Sequence, residues 1–136
     1  MAVSYMTKDG YDKILAEINY LETVKRPEIS AQIAEARDKG DLSENAEYDA
    51  AKEEQAKVES RINQLEYMLK YAKVVEDDGK DTVTVGKTVT VEYVNPPRGE
   101  ATYSIVGSSE ADPYKNKLSY EAPIGAALIG HVAGDV

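Results

Sequence analysis

Carboxylates crowd one short stretch of this chain. Asp41 and Glu44 stand three positions apart in the run Gly40-Asp41-Leu42-Ser43-Glu44-Asn45-Ala46-Glu47-Tyr48, and Glu47 and Asp49 lie just beyond. Acidic side chains at such spacing have two ordinary uses. They can be carried to a hard divalent cation, which prefers oxygen ligands. They can also close a helix end, because Asp-x-x-Glu ahead of a helical run matches a capping box, with both side chains bonded to backbone N–H groups. Spacing alone leaves both readings open.

The setting of the stretch narrows its use. A helical pattern runs from about Lys8 to Lys39 and another from about Glu44 to Lys73. Helices joined by so few residues must fold back as a hairpin. The joint is then the far tip of an antiparallel coiled coil. At about 1.5 Å rise per residue, some thirty residues per arm put that tip roughly 45–50 Å from the base. Stability alone does not call for a long stalk ending in acid. The stalk is expected to carry its carboxylates somewhere.

The apolar spacing supports two arms. In the first, Tyr11, Ile14, Ile18 and Leu21 recur at intervals of three and four, with Leu15 widening the stripe. Thr7 is placed to cap this helix, with Asp9 and Asp12 in the turn that favours anions. Pro27 interrupts the pattern, which resumes at Ile29, Ile33 and Ala36, so one long kinked helix is expected. Gly40 suits the position just past its end. Asp41 or Ser43 is expected to cap the second helix. That helix opens on small residues, Ala46, Ala50 and Ala51, which predicts arms in close approach near the tip. Val58, Ile62, Leu65, Leu69 and Ala72 then form a regular seam.

Beyond the arms the pattern changes. Glu76-Asp77-Asp78-Gly79-Lys80-Asp81 reads as a linker, dividing the chain into residues 1–75, the linker at 76–81, and a domain over 82–136. In that domain Thr82–Val85, Thr88–Val94 and Ala101–Val106 alternate with period two and are expected strands. Residues 95–100 read as a loop, Lys117–Tyr120 as a short strand, and Pro123–Ile129 as a short helix with Pro123 in its first turn. The expected fold class is therefore α+β: a long helical hairpin followed by a small, mostly antiparallel sheet with one short helix.

Composition sets bounds on function. The chain of 136 residues has no Cys, so it holds no disulfide and no thiolate site. Its net charge of −9 argues against broad binding of nucleic acid, whose phosphates are held mainly by Lys and Arg. The same charge suits a partner with a basic surface, or simple solubility. No apolar run is long enough to span a membrane and no signal pattern opens the chain, so a soluble, cytoplasmic monomer is expected.

Three runs together carry a resemblance. They are Arg26-Pro27-Glu28-Ile29, Ile33-Ala34-Glu35-Ala36-Arg37, and the tip run from Gly40 to Tyr48. Weaker similarity continues through Thr102–Gly107, Glu110-Ala111-Asp112 and Ser119–Gly130. In these the chain resembles the bacterial GreA/GreB transcript-cleavage factors along essentially its whole length. That resemblance implies a coiled-coil hairpin and an FKBP-like domain that docks at the rim of the secondary channel of RNA polymerase. It implies that the acidic tip reaches the polymerase active centre, where the polymerase cuts its own backtracked RNA. It also implies further C-terminal strands beyond Val136, so the sheet is expected to lack its last strands.

On this resemblance Asp41 and Glu44 are the working carboxylates. They would share a Mg²⁺ ion of the polymerase active site, with no cofactor in the free protein. Two-metal cleavage of a phosphodiester needs cations about 3.5–4 Å apart, and a pair of acids suits the holding of one of them. Arg37 and Lys52, on opposite arms near the tip, are the candidates to contact the nascent RNA 3′ end, against the plain alternative of ion pairs within or between the arms. Ser43, Asn45 and Tyr48 are read as shaping the tip, and Glu47 and Asp49 as a solvated acidic rim. His131 is given no catalytic role. Two rival functions remain in view. One is a polymerase-channel inhibitor on the same scaffold. The other is an FKBP-type prolyl isomerase, disfavoured because the C-terminal half has no Phe or Trp to line a pocket.

Overall fold

The computed structural model describes residues 3–40 and 45–136. In chain order the elements are β1 (Ser4–Met6), α1 (Lys8–Tyr20), a π-helical turn (Leu21–Lys25), α2 (Arg26–Asp38), α3 (Ala46–Lys70), β2 (Ala72–Val74), β3 (Thr88–Val94), β4 (Pro97–Val106), two 3₁₀ turns, β5 (Lys117–Ser119) and α4 (Pro123–Leu128). The α+β class is as expected. The chain forms two compact units. One is helical and covers Lys13–Lys70. The other gathers the described part of Met1–Asp12 with Tyr71–Val136. This grouping in space differs from the division in chain order read from the sequence, because the first strand and the root of α1 pack with the sheet.

The helical unit is an antiparallel hairpin. Glu17 pairs with Arg61, Arg26 with Glu59 and Lys39 with Glu47, so partner numbers fall on one arm as they rise on the other. Its core is a single seam: Ile14, Leu21, Ile29, Ile33 and Ala36 from one arm, Ala51, Val58, Ile62 and Leu65 from the other. Leu15 is exposed and widens nothing. The ion pairs flank the seam in solvent and contribute little to stability.

Pro27 does not break the first arm. It follows the π-helical turn, in which the Arg26 N–H donates to the Leu21 carbonyl five residues back. The wider turn makes room for the proline ring, which lacks an N–H and would clash with a carbonyl of the preceding turn. It also takes in one extra residue. Ile14, Leu21, Ile29 and Ala36 are spaced seven, eight and seven apart, and all four are buried. The eight-residue step coincides with the π turn, so the inserted residue is absorbed and the apolar stripe keeps facing the other arm.

In the sheet unit, β3 and β4 form an antiparallel hairpin, and β5 adds to β4 in parallel. The sheet is mostly antiparallel, as expected, with one short parallel addition. The hairpin is tighter than the expected loop: β4 begins at Pro97, and the Asn95–Pro96 peptide bond is cis. Residues 82–85 are not a strand. Their alternation has another cause, which is that Val83 and Val85 are buried while the backbone bends at Gly86 (φ +98°). Val83 exchanges hydrogen bonds with Gly130 and His131 instead of a strand neighbour. The acidic run also has a structural duty: Lys87, largely buried, pairs with Asp77 at 2.6 Å and Asp78 at 3.3 Å and ties that run to the sheet unit.

The parallel pair β1–β2 was not foreseen. Each strand is three residues long, too short to show a period. Ala72, read as the last member of the helical seam, lies in β2 opposite Ser4. Behind the pair, Glu110 fastens the start of α1. Its carboxylate accepts from the Thr7 N–H and the Gly107 N–H, each at 3.0 Å, and from the Thr7 hydroxyl. The Thr7 hydroxyl in turn accepts the Gly10 N–H at 3.1 Å, as a helix cap should. A Cβ on Gly10 would lie 2.3 Å from the Glu110 carboxyl carbon, and one on Gly107 would lie 2.4 Å from the Tyr5 carbonyl oxygen.

Two outcomes test these contacts. Gly10→Ala should lower stability by about 1–2 kcal/mol by displacing the hydrogen-bonded Glu110, although helix propensity alone would raise it by about 1 kcal/mol. Leu65→Ala, at a site 1% exposed, should cost the helical unit about 3 kcal/mol. Urea unfolding followed by circular dichroism measures both.

Candidate functional site

Residues 41–44 lie outside the described residues, so Asp41, Ser43 and Glu44 are placed here only by what flanks them. The last turn of α2 ends at Lys39, whose N–H donates to the Ala36 carbonyl at 3.2 Å. Gly40 follows at φ +113°, a conformation that glycine adopts without strain, and its N–H donates to the Arg37 carbonyl.

On the other side the helix cap is Asn45. Its Oδ1 accepts the Tyr48 N–H at 3.0 Å, which satisfies a donor of the first turn of α3. Asn at this position was an available signal, since it ranks with Asp and Ser among capping residues, but the sequence reading gave the cap to Asp41 or Ser43. The side chain of Asn45 has a second bond: Nδ2 donates to the Ala36 carbonyl of the facing arm at 2.7 Å.

A second tie crosses the same place. The Lys39 ammonium donates to Glu47 at 2.7 Å. That hydrogen bond with Glu47, helped by the carboxylate's charge, raises the Lys39 pKa above the usual lysine value. Glu47 is thus a paired rim residue. Asp49, also on the rim, is exposed. The arms approach closely here because Ala36 and Ala51 occupy the seam, 2% and 6% exposed. Beside them lies a shallow groove edged by Gln32, Glu35, Glu47 and Glu54. Tyr48 is half-buried, in keeping with packing.

Among the described residues, neither candidate RNA contact has a cross-arm ion pair. Arg37 is exposed and makes no ion pair among the described residues. Lys52 is exposed and donates along its own arm to Gln55 Oε1 at 3.1 Å. His131 sits far along the chain in a turn with Asp135, Nδ1 to Oδ2 at 3.1 Å. The Val132 N–H, and after it His131, hold the Asp135 carboxyl below its usual pKa. No group of three or more His, Asp or Glu able to hold a metal ion occurs among the described residues. A metal role for the tip therefore rests on Asp41 and Glu44, whose oxygen donors suit Mg²⁺ chemically.

Two family models match the chain end to end. Residues 4–74 match "Transcription elongation factor, N-terminal", and residues 78–136 match "Transcription elongation factor, GreA/GreB, C-term". The chain belongs to the GreA/GreB family of transcription elongation factors. It is 52% identical to GreA of Macrococcus caseolyticus over 96% of this chain and 82% of the relative. It is 53% identical to GreA of Bacillus subtilis over 92% of this chain and 80% of the relative. Among solved structures, a transcription factor Gfh1 matches 99% of this chain and 87% of its own, with TM-score 0.53 and 28% identity. GreA factor homolog 1 of Thermus thermophilus matches 100% of this chain and 88% of its own, with TM-score 0.50 and 29% identity. A helical hairpin joined to a small sheet unit is thus the fold of a GreA/GreB factor, and no described helix is long and apolar enough to cross a membrane.

The Lys39–Glu47 pair has a measurable signature. A lysine whose folded pKa is raised gains stability from its partner below the unfolded pKa and loses it as pH rises through the folded value. In alkaline NMR titration Lys39 should therefore deprotonate above the usual lysine value, and Glu47→Gln should bring it back down.

Proposed function

We propose that this elongation factor binds RNA polymerase at the rim of its secondary channel, passes its hairpin tip inward, and stimulates the polymerase's own cleavage of backtracked RNA. The observation that carries this reading is about half-identity to GreA elongation factors across nearly the whole chain, with the run Gly40-Asp41-Leu42-Ser43-Glu44-Asn45-Ala46-Glu47-Tyr48 at the turn between the arms. On this reading the chain is not an enzyme alone, and it works in the cytoplasm, where the polymerase is.

Each residue has a physical task. Asp41 and Glu44 would hold a Mg²⁺ ion shared with the polymerase and orient the attacking water. Bound there, the metal supplies charge neutralisation at the phosphodiester. Arg37 and Lys52 would meet the phosphates of the displaced RNA 3′ end. Asn45, Tyr48 and Ser43 shape the turn that presents the acids. The protein contributes position rather than a nucleophile.

The test uses a stalled, backtracked polymerase with end-labelled RNA in Mg²⁺. The parent protein should speed release of 3′ fragments, and Asp41→Ala/Glu44→Ala should lower that rate at least about a hundredfold while competing equally well for polymerase. Parent-level cleavage by the double variant overturns the role of the tip. Slower cleavage on adding the parent protein would identify a channel inhibitor instead.

A further inference from the structure

The two bonds of the Asn45 side chain point in different directions and do different things. Oδ1 serves α3 alone, by accepting the Tyr48 N–H at 3.0 Å. Nδ2 serves the other arm, by donating to the Ala36 carbonyl at 2.7 Å. That carbonyl already accepts the Lys39 N–H at 3.2 Å. A helix cap needs only the first bond, which Asp or Ser makes as well as Asn does. The Asn amide carries its acceptor and its donors on separate atoms and so can serve both arms at once, whereas an ionised Asp only accepts and Ser has a single, shorter-reaching oxygen for both tasks. Ala36 is 2% exposed and Ala51 6%, so small side chains line the seam beside the bond. Beside it, among the described residues, lies the exposed Lys39–Glu47 pair, and solvent-exposed ion pairs constrain geometry weakly.

We infer that Asn45 is a positioning residue for transcript cleavage: its amide latches the two arms together at Ala36 and Asn45, on either side of residues 41–44. This rests on the function proposed above and adds to it that the cap and the latch are separable. The acids act on a shared ion. A loosened turn should therefore weaken their hold on Mg²⁺ before it affects docking on the polymerase.

Asn45→Asp and Asn45→Ser both keep the cap and remove the Nδ2 that reaches Ala36; Asp sets an acceptor against the Ala36 carbonyl, and Ser leaves only a shorter hydroxyl already engaged as the cap. In the free variants, hydrogen exchange by NMR should quicken at the Lys39 and Gly40 amides while the Tyr48 amide stays protected. With backtracked polymerase, the Mg²⁺ concentration for half-maximal cleavage should rise about tenfold, given how steeply misplacement costs rate, with unchanged competition for polymerase. The added charge of Asp would by itself lower that concentration, so a rise in both variants reports geometry. A structural defect alone would shrink the active fraction and leave the Mg²⁺ dependence in place. Parent-like exchange at Lys39 and Gly40, or a parent-like Mg²⁺ dependence, overturns the inference. So does loss of Tyr48 protection in both variants, which would make Asn45 a cap only. If the parent protein itself fails to stimulate cleavage, the function proposed above fails, whereas the exchange result still reports whether the latch exists.

Discussion

A two-helix hairpin has no interior except the line where its arms touch. Everything in the helical unit depends on keeping that line apolar and in phase. Burial of Ile14, Leu21, Ile29, Ile33 and Ala36 against Ala51, Val58, Ile62 and Leu65 is the main source of stability available, because the flanking ion pairs stand in water. The phase is threatened once, at Pro27. The π-helical turn before it answers both demands, clearing the ring and absorbing the extra residue between Leu21 and Ile29. Without the wider turn, the extra residue would rotate Ile29 and Ala36 away from the second arm. The cost is a weaker hydrogen-bond pattern over one turn, offset by two buried aliphatic positions.

Toward the turn the seam shrinks to alanine, and hydrophobic burial loses its power to specify geometry. Directional bonds take over there. Asn45 joins the start of one arm to the last turn of the other, and the Lys39–Glu47 pair lies beside it. This gradient from apolar to polar control suits an end that must be slender and chemically exposed. The sheet unit solves a different problem, that of fixing the root of α1. It uses the Glu110 carboxylate at the first turn of that helix, with Gly10 and Gly107 leaving the space that the carboxylate and the adjoining backbone occupy.

The sequence was most legible where a period was long. The seam through Val58, Ile62 and Leu65, the strand Thr88–Val94 and the helix at Pro123 could each be read from local pattern. It misled where one pattern has two causes. Thr82–Val85 alternates like a strand, yet buries its valines in a bend. Ala72 continues the helical spacing, yet belongs to β2. The one-residue insertion that accompanies the proline is visible only when the buried positions are known.

By itself the sequence determined the two helical arms, the acidic run between them and the family to which the chain belongs. These depend on side-chain order along one element or on a continuous motif, which local chemistry encodes. Tertiary structure alone decided that three N-terminal residues pair with Ala72–Val74, that Glu110 fastens Thr7, and that Asn45 both caps its own helix and bonds Ala36. Each of these joins groups distant along the chain or divides one side chain between two partners. No spacing rule records such a meeting, because it exists only once the packed elements have brought the atoms together.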